Sequence, residues 1–130
     1  AKGIPYYEKT RGWLFSLIAK MANRLDKTPE GDGIMLDNSL IIYMSDAPDT
    51  HHSTGYEWPL AIVGNLKGKM NLGGQYISFP GYGKTGHRTV GALYTTLLNC
   101  VGHRQQTFGR LDPDLDEKTM QTGPLAQLMT

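Results

Sequence analysis

The stretch Leu36-Asp37-Asn38-Ser39-Leu40-Ile41-Ile42-Tyr43-Met44-Ser45-Asp46, continued by Ala47-Pro48-Asp49-Thr50-His51-His52, decides how this chain is read. Its run from Leu40 to Met44 is apolar without alternation, the pattern of a strand covered on both faces. The run ends in a carboxylate, and the loop beyond it carries a second carboxylate and two imidazoles. Open α/β sheets build their sites at the carboxyl ends of strands, so chemistry is expected here if anywhere.

Before this strand, apolar residues at Trp13, Leu14, Leu17, Ile18, Met21, Ala22 and Leu25 recur at helical spacing. They predict a packing helix from about Glu8 to Lys27, within residues 1–28. Pro29 and the turn set Glu30-Gly31-Asp32-Gly33 end it. After the His-bearing loop, Leu60-Ala61-Ile62-Val63 reads as a second strand, closed by Gly64-Asn65. Gln75-Tyr76-Ile77-Ser78-Phe79, between Gly73-Gly74 and Pro80-Gly81, reads as a third, so residues 36–79 hold the strands.

A second helix is predicted over 89–101, with Val90, Leu93, Tyr94, Leu97, Leu98 and Val101 as its buried stripe and Gly102 as a left-handed cap. Residues 103–130 read as an irregular tail. The order predicts a single α/β domain with a small, mostly parallel or mixed sheet of about three strands flanked by two helices. The length of 130 residues suits one domain. So thin a layer is expected to take the rest of its core from a partner chain or from a preceding N-terminal part.

Composition narrows the function classes. The net charge is +1 and no basic run occurs, which argues against a nucleic-acid partner. No apolar run reaches the length of a membrane span, and no signal peptide is present in these residues. The single cysteine, Cys100, has no intrachain partner and falls within the second helical pattern, where it reads as a buried, inert thiol.

The loop residues Asp46, Asp49, His51 and His52 are ligand types for a divalent metal, zinc or calcium. The competing reading has both carboxylates capping turns and both imidazoles solvated. His87 lies in the loop 82–87 just before the second helix. It reaches the strand ends if that loop lies on the same edge of the sheet, and is otherwise a surface or capping residue. His103, past the second helix, simply suits the helix dipole. Gly83-Lys84-Thr85 is not a phosphate loop, because position 78 is Ser where that motif needs Gly. The stretch Asp112-Pro113-Asp114-Leu115-Asp116-Glu117 lacks the glycine and final Glu of a calcium loop and reads as a solvated turn. Neither a Gly-x-Ser-x-Gly elbow nor a His-Glu-x-x-His helix is present.

Several segments together resemble the C-terminal region of a family of exported bacterial proteins of unknown function, grouped with the alkaline phosphatase and sulfatase superfamily. They are Arg11-Gly12-Trp13, Pro29 to Gly33 leading into Leu36 to Tyr43, Pro59 to Gly64, the strand 75–79, Leu93 to Leu98 with Val101-Gly102, Phe108-Gly109, and Thr122-Gly123-Pro124-Leu125. The resemblance implies an alkaline phosphatase-like α/β fold, of which this chain is a C-terminal part, and a periplasmic or secreted location. In that superfamily a strand ending in Ser/Thr-Asp-His supplies metal ligands, and a further histidine precedes a late helix. Ser45-Asp46 matches the first two positions, Ala47 stands where the histidine belongs, His51 or His52 can substitute, and His87 matches the late histidine.

The resemblance therefore implies a divalent-metal site for phosphate or sulfate ester hydrolysis. The superfamily's nucleophile and remaining ligands have no counterpart in these residues, so this chain alone is expected to be inactive and holds no catalytic residue of its own. The alternative is an inactive relative that keeps the fold as a binding or structural module in a larger assembly.

Overall fold

The computed structural model describes residues 4–44, 57–115 and 118–130. The ligand candidates Asp46, Asp49, His51 and His52 lie outside the described residues.

Helix α1 spans Ile4–Asp26. Pro5 sits in its first turn, where a missing N–H costs no helical hydrogen bond. The expected turn set follows as a tight hairpin, β1 (Pro29–Glu30) with β2 (Gly33–Ile34), turned by Gly31 at φ 60°. Residues Met35–Asn38 form a helical turn, α2, at the start of the range 36–79 expected to hold the strands. Asp37 explains it: its carboxylate accepts from the Ile34 N–H at 3.1 Å and caps the turn.

Strand β3 (Ile41–Met44) pairs antiparallel with β4 (Leu60–Val63), Ile41 opposite Val63 through to Met44 opposite Leu60. The ladder ends at Gly64, whose φ of 103° leaves no room for a side chain: a Cβ there would sit 2.2 Å from the Ser39 carbonyl oxygen. The fold is thus mixed α/β, but the sheets among the described residues are two antiparallel pairs. Of the expected mostly parallel or mixed sheet of about three strands, no mostly parallel three-stranded sheet is present among the described residues. Non-alternating apolar runs signal cover on two faces, and β3 and β4, half-buried throughout, meet that condition as an antiparallel ribbon. The segment 75–79, expected as a third strand, joins neither sheet: among the described residues its backbone has no ladder partner.

Helix α3 (Val90–Cys100) is the centre of the core. Ala92, Leu93 and Cys100 cluster with Met70, Leu125 and Leu128, and Leu40, Leu60, Ile62, Ile77 and Phe79 pack around them. The helix is more fully enclosed than its apolar stripe predicts, for Thr95 and Thr96 are completely buried while Val101 is exposed. Thr96 is satisfied twice: its Oγ1 donates to the Ala92 carbonyl at 2.7 Å and accepts from the Leu125 N–H at 2.7 Å. Gly102, at φ 91°, caps the helix as expected, with its N–H on the Asn99 carbonyl and that of His103 on the Leu98 carbonyl. Cys100 is buried, its thiol donates to the Lys69 carbonyl at 3.4 Å, and burial pushes its pKa up.

The tail, expected to be irregular, contributes more to the core than that reading suggests. It carries a helical turn, α4 (Lys118–Gln121), and a 3-10 turn (Ala126–Leu128), and it buries Leu115, Met120, Leu125 and Leu128. Isolated apolar residues without helical or strand period gave no sign of this.

Helix α1 departs from expectation in the other direction. It packs on α2 and β3, with the Phe15 ring 4.9 Å from that of Tyr43. Leu14, Ile18, Ala22 and Leu25 are half-buried, but Trp13 is 60% exposed, Leu17 40% and Met21 47%. At about 100° per residue the apolar arc covers roughly 200°, of which the body covers only half. The whole chain exposes 9272 Å². A folded monomer of 14.4 kDa exposes roughly 6,800 Å². Among the described residues no helix is long and apolar enough to cross a membrane.

Candidate functional site around His87

Of the metal-ligand candidates, His87 is the one within the described residues, and it is buried rather than a surface or capping group. Two successive turns bring it there, Lys84 N–H to the Gly81 carbonyl at 3.0 Å and His87 N–H to the Lys84 carbonyl at 2.9 Å. Gly86, at φ 84°, packs against the Pro80 ring and lets the loop close on itself. The imidazole Nδ1 then lies 2.9 Å from the Pro80 carbonyl oxygen. A carbonyl only accepts, so Nδ1 carries a proton, and Nε2 is the ring nitrogen left to offer a lone pair to a metal.

The Tyr82 ring meets the imidazole edge-on at 5.7 Å between centroids. Its hydroxyl donates to Asp112 Oδ2 at 2.7 Å. Asp112 in turn accepts from the Asp114 N–H at 2.9 Å, and Gln121 clamps its backbone, Oε1 on the N–H at 2.6 Å and Nε2 on the carbonyl at 2.8 Å. The Asp114 amide first, and the Tyr82 hydroxyl second, hold the Asp112 carboxyl below its ordinary pKa. The acidic stretch is therefore a tether for the His87 loop at its first residue, not a purely solvated turn. Next to His87, Arg88 fastens the same loop to the tail, with Nη2 donating to the carbonyls of Thr122, Gly123 and Pro124 at 3.0, 2.7 and 3.3 Å. Burial lowers the Arg88 pKa.

The carboxyl end of β3 reaches the same helix. The Tyr94 hydroxyl, one turn into α3, contacts Met44 Sδ at 3.7 Å, and the Tyr94 ring stacks on Phe108 at 4.8 Å. Thr89, two residues after His87, caps the start of α3 by accepting from the Ala92 N–H at 3.3 Å. The strand end that leads into the Asp- and His-bearing loop and the loop that holds His87 thus both abut the amino-terminal half of α3. His103 is exposed, as expected.

Among the described residues no group of three or more His, Cys, Asp or Glu side chains is placed to hold a metal ion. The acidic residues Glu30, Asp32 and Asp37 line an open cleft of about 320 Å³ with Lys67. Two of their carboxylates serve local structure, Glu30 accepting from Asn38 Nδ2 and Asp37 from the Ile34 N–H. Pro80, Tyr82, Asp112 and Gln121, which position His87, escaped sequence reasoning. The Tyr82–Asp112 contact joins residues 30 apart, and no spacing signals it.

No protein-family model, curated protein or solved structure matches this chain.

Proposed function

We propose that this chain is the C-terminal part of an exported phosphatase- or sulfatase-like protein, and that Asp46, a loop histidine (His51 or His52) and His87 contribute to a divalent-metal site for ester hydrolysis. The observation that carries the reading is the Pro80 carbonyl on His87 Nδ1. Histidine ligands commonly give their second ring N–H to a carbonyl or carboxylate, which fixes the tautomer and turns the lone pair on Nε2 towards the metal. Nε2 makes no hydrogen bond in the described structure.

The other supports are the convergence of the β3 end and the His87 loop on α3, and the resemblance of Ser45-Asp46 to a ligand-bearing strand end. A bound zinc or calcium ion would supply Lewis acidity to activate an oxygen nucleophile and neutralise charge on a phosphoryl or sulfuryl group. This chain's part is to present Nε2 of His87 and carboxylate oxygens, with Tyr82 and Pro80 holding the imidazole. Metal content after dialysis against zinc or calcium tests the reading. It expects stoichiometric metal in the whole protein and its loss in Asp46→Ala and His87→Ala, whereas a metal-free whole protein rejects it.

A second reading, an inactive relative that serves as a binding or structural module, draws on Ala47 at a ligand position and on the uncovered apolar arc of α1. It predicts no stoichiometric metal and no ester hydrolysis. An esterase activity lost in the Asp46→Ala variant would reject it.

A further inference from the structure

Helix α1 carries one row of side chains that the body leaves open and that is apolar or cationic throughout. Tyr6, Lys9, Trp13, Leu17, Lys20 and Arg24 are all exposed. At about 100° per residue they fall within roughly 80° of arc and run about 27 Å along the helix. The half-buried row of Leu14, Ile18, Ala22 and Leu25 lies about 120° round from them. The helix has two acidic residues, Glu8 and Asp26, and both fall about 140° from the middle of the exposed row. Among the described residues no ion pair engages Lys9, Lys20 or Arg24.

Positive charge is concentrated at this end of the chain. Residues 1–27 hold six of the 13 Lys and Arg and two of the 12 Asp and Glu, a net +4, while residues 28–130 hold seven and ten, a net −3. Such asymmetry is a mark of contact with a polyanionic surface. Lys20 and Arg24, one turn apart, also repel each other, a strain on the bare helix that an anionic surface relieves. We propose that this face of α1 is a docking surface for an anionic lipid bilayer, with the helix lying in the plane of the headgroups.

The interleaving of the row identifies the occupant. In a protein interface, charges sit at the rim and are depleted at the core. Here Lys9 and Lys20 flank Trp13 and Leu17 on the same line, so a protein packed on the apolar pair would cover the ammonium groups as well. A bilayer surface takes both. The Trp13 indole and the Leu17 side chain enter the boundary between headgroups and acyl chains, and the lysine stems snorkel until their ammonium groups meet lipid phosphates. Tyr6 and Trp13 are amphipathic aromatics, the kind enriched at that depth. A second copy of this chain fits less well, because it would set the same cations against one another. The inference is independent of the metal reading.

The test is sedimentation of the full chain with vesicles of phosphatidylcholine containing about 30% phosphatidylglycerol, and with vesicles of phosphatidylcholine alone. The expected result is binding at least about tenfold tighter to the anionic vesicles. The triple variant Lys9→Gln, Lys20→Gln and Arg24→Gln, whose glutamines suit a helix, should weaken that binding by at least about tenfold. In the Trp58→Phe chain Trp13 is the remaining tryptophan. Its emission should shift to the blue on binding and be quenched by lipids brominated on their acyl chains. No binding to the anionic vesicles, equal binding to both kinds, a triple variant that binds as tightly as the parent, or a Trp13 that brominated lipid does not quench overturns the proposal. Binding to poly-L-glutamate without binding to anionic vesicles overturns it in favour of an acidic polypeptide.

Discussion

The Tyr82 hydroxyl donates to Asp112 Oδ2 across 2.7 Å, and this contact ties the loop that holds His87 to the tail that closes the core. Asp112 is held ionised by it and by the Asp114 amide, with its folded pKa depressed. A depressed carboxylate contributes stability that is fully present above its unfolded pKa of about 4 and is lost as pH falls through the folded value. Thermal melts should therefore find Tyr82→Phe less stable than the parent at pH 7, with the gap closing as pH falls below about 4. A gap that stays constant down to pH 2 would show that the hydroxyl does not act through the carboxylate.

The adjacent threonines of α3 predict opposite outcomes. Thr95 Oγ1 is fully buried with no partner, whereas Thr96 Oγ1 both donates and accepts. Thr95→Val removes an unsatisfied hydroxyl and should leave stability unchanged or raise it by about 1 kcal/mol. Thr96→Val orphans the Leu125 amide and should cost about 1–3 kcal/mol. Urea denaturation of the two variants distinguishes them, and equal losses would refute the assignment.

Gly64 tests the close approach at the end of the β3–β4 ladder. A methyl group there meets the Ser39 carbonyl at 2.2 Å on a backbone already at φ 103°. Gly64→Ala should cost about 3 kcal/mol or more, summing backbone strain and overpacking. Gly31, at φ 60° with open space around it, has only the backbone penalty. Gly31→Ala should therefore cost about 1–2 kcal/mol.

On α1, side chains on the covered and uncovered parts of the apolar arc should differ. Ile18 is half-buried and Trp13 mostly exposed. Denaturant midpoints should shift little for Trp13→Ser, within about 0.5 kcal/mol, and by about 1–2 kcal/mol for Ile18→Ala, less than a fully buried truncation costs. A large loss at Trp13 would mean that the arc is covered within this chain.

How far the sequence was legible follows from the range of each signal. Local signals held: the helical spacing through Leu14, Ile18 and Ala22, the apolar run at Leu60–Val63, the Gly102 cap and the buried Cys100 all stand as expected. Pairing was not legible, because an apolar run such as Ile41–Met44 fits a parallel or an antiparallel neighbour alike. Width was not legible either. The wide apolar arc of α1 cannot say how much of it this chain covers, and Trp13 and Met21 lie outside that cover. The tail's part in the core was not legible, because Leu115, Met120, Leu125 and Leu128 enter it singly, without helical or strand period. At the site, the chemistry of His87 was legible as a residue type, but its orientation depends on Pro80, Tyr82 and Asp112, brought together only by the fold.

The most direct test of the central claim is the nitrogen NMR of the His87 ring, recorded with and without zinc. The Pro80 carbonyl requires a proton on Nδ1 and leaves Nε2 as the nitrogen that can meet a metal. The predicted result is an Nδ1 that stays protonated with and without zinc, and an Nε2 signal that moves on addition of zinc. An unprotonated Nδ1, or a ring that ignores zinc in the whole protein, would contradict the account.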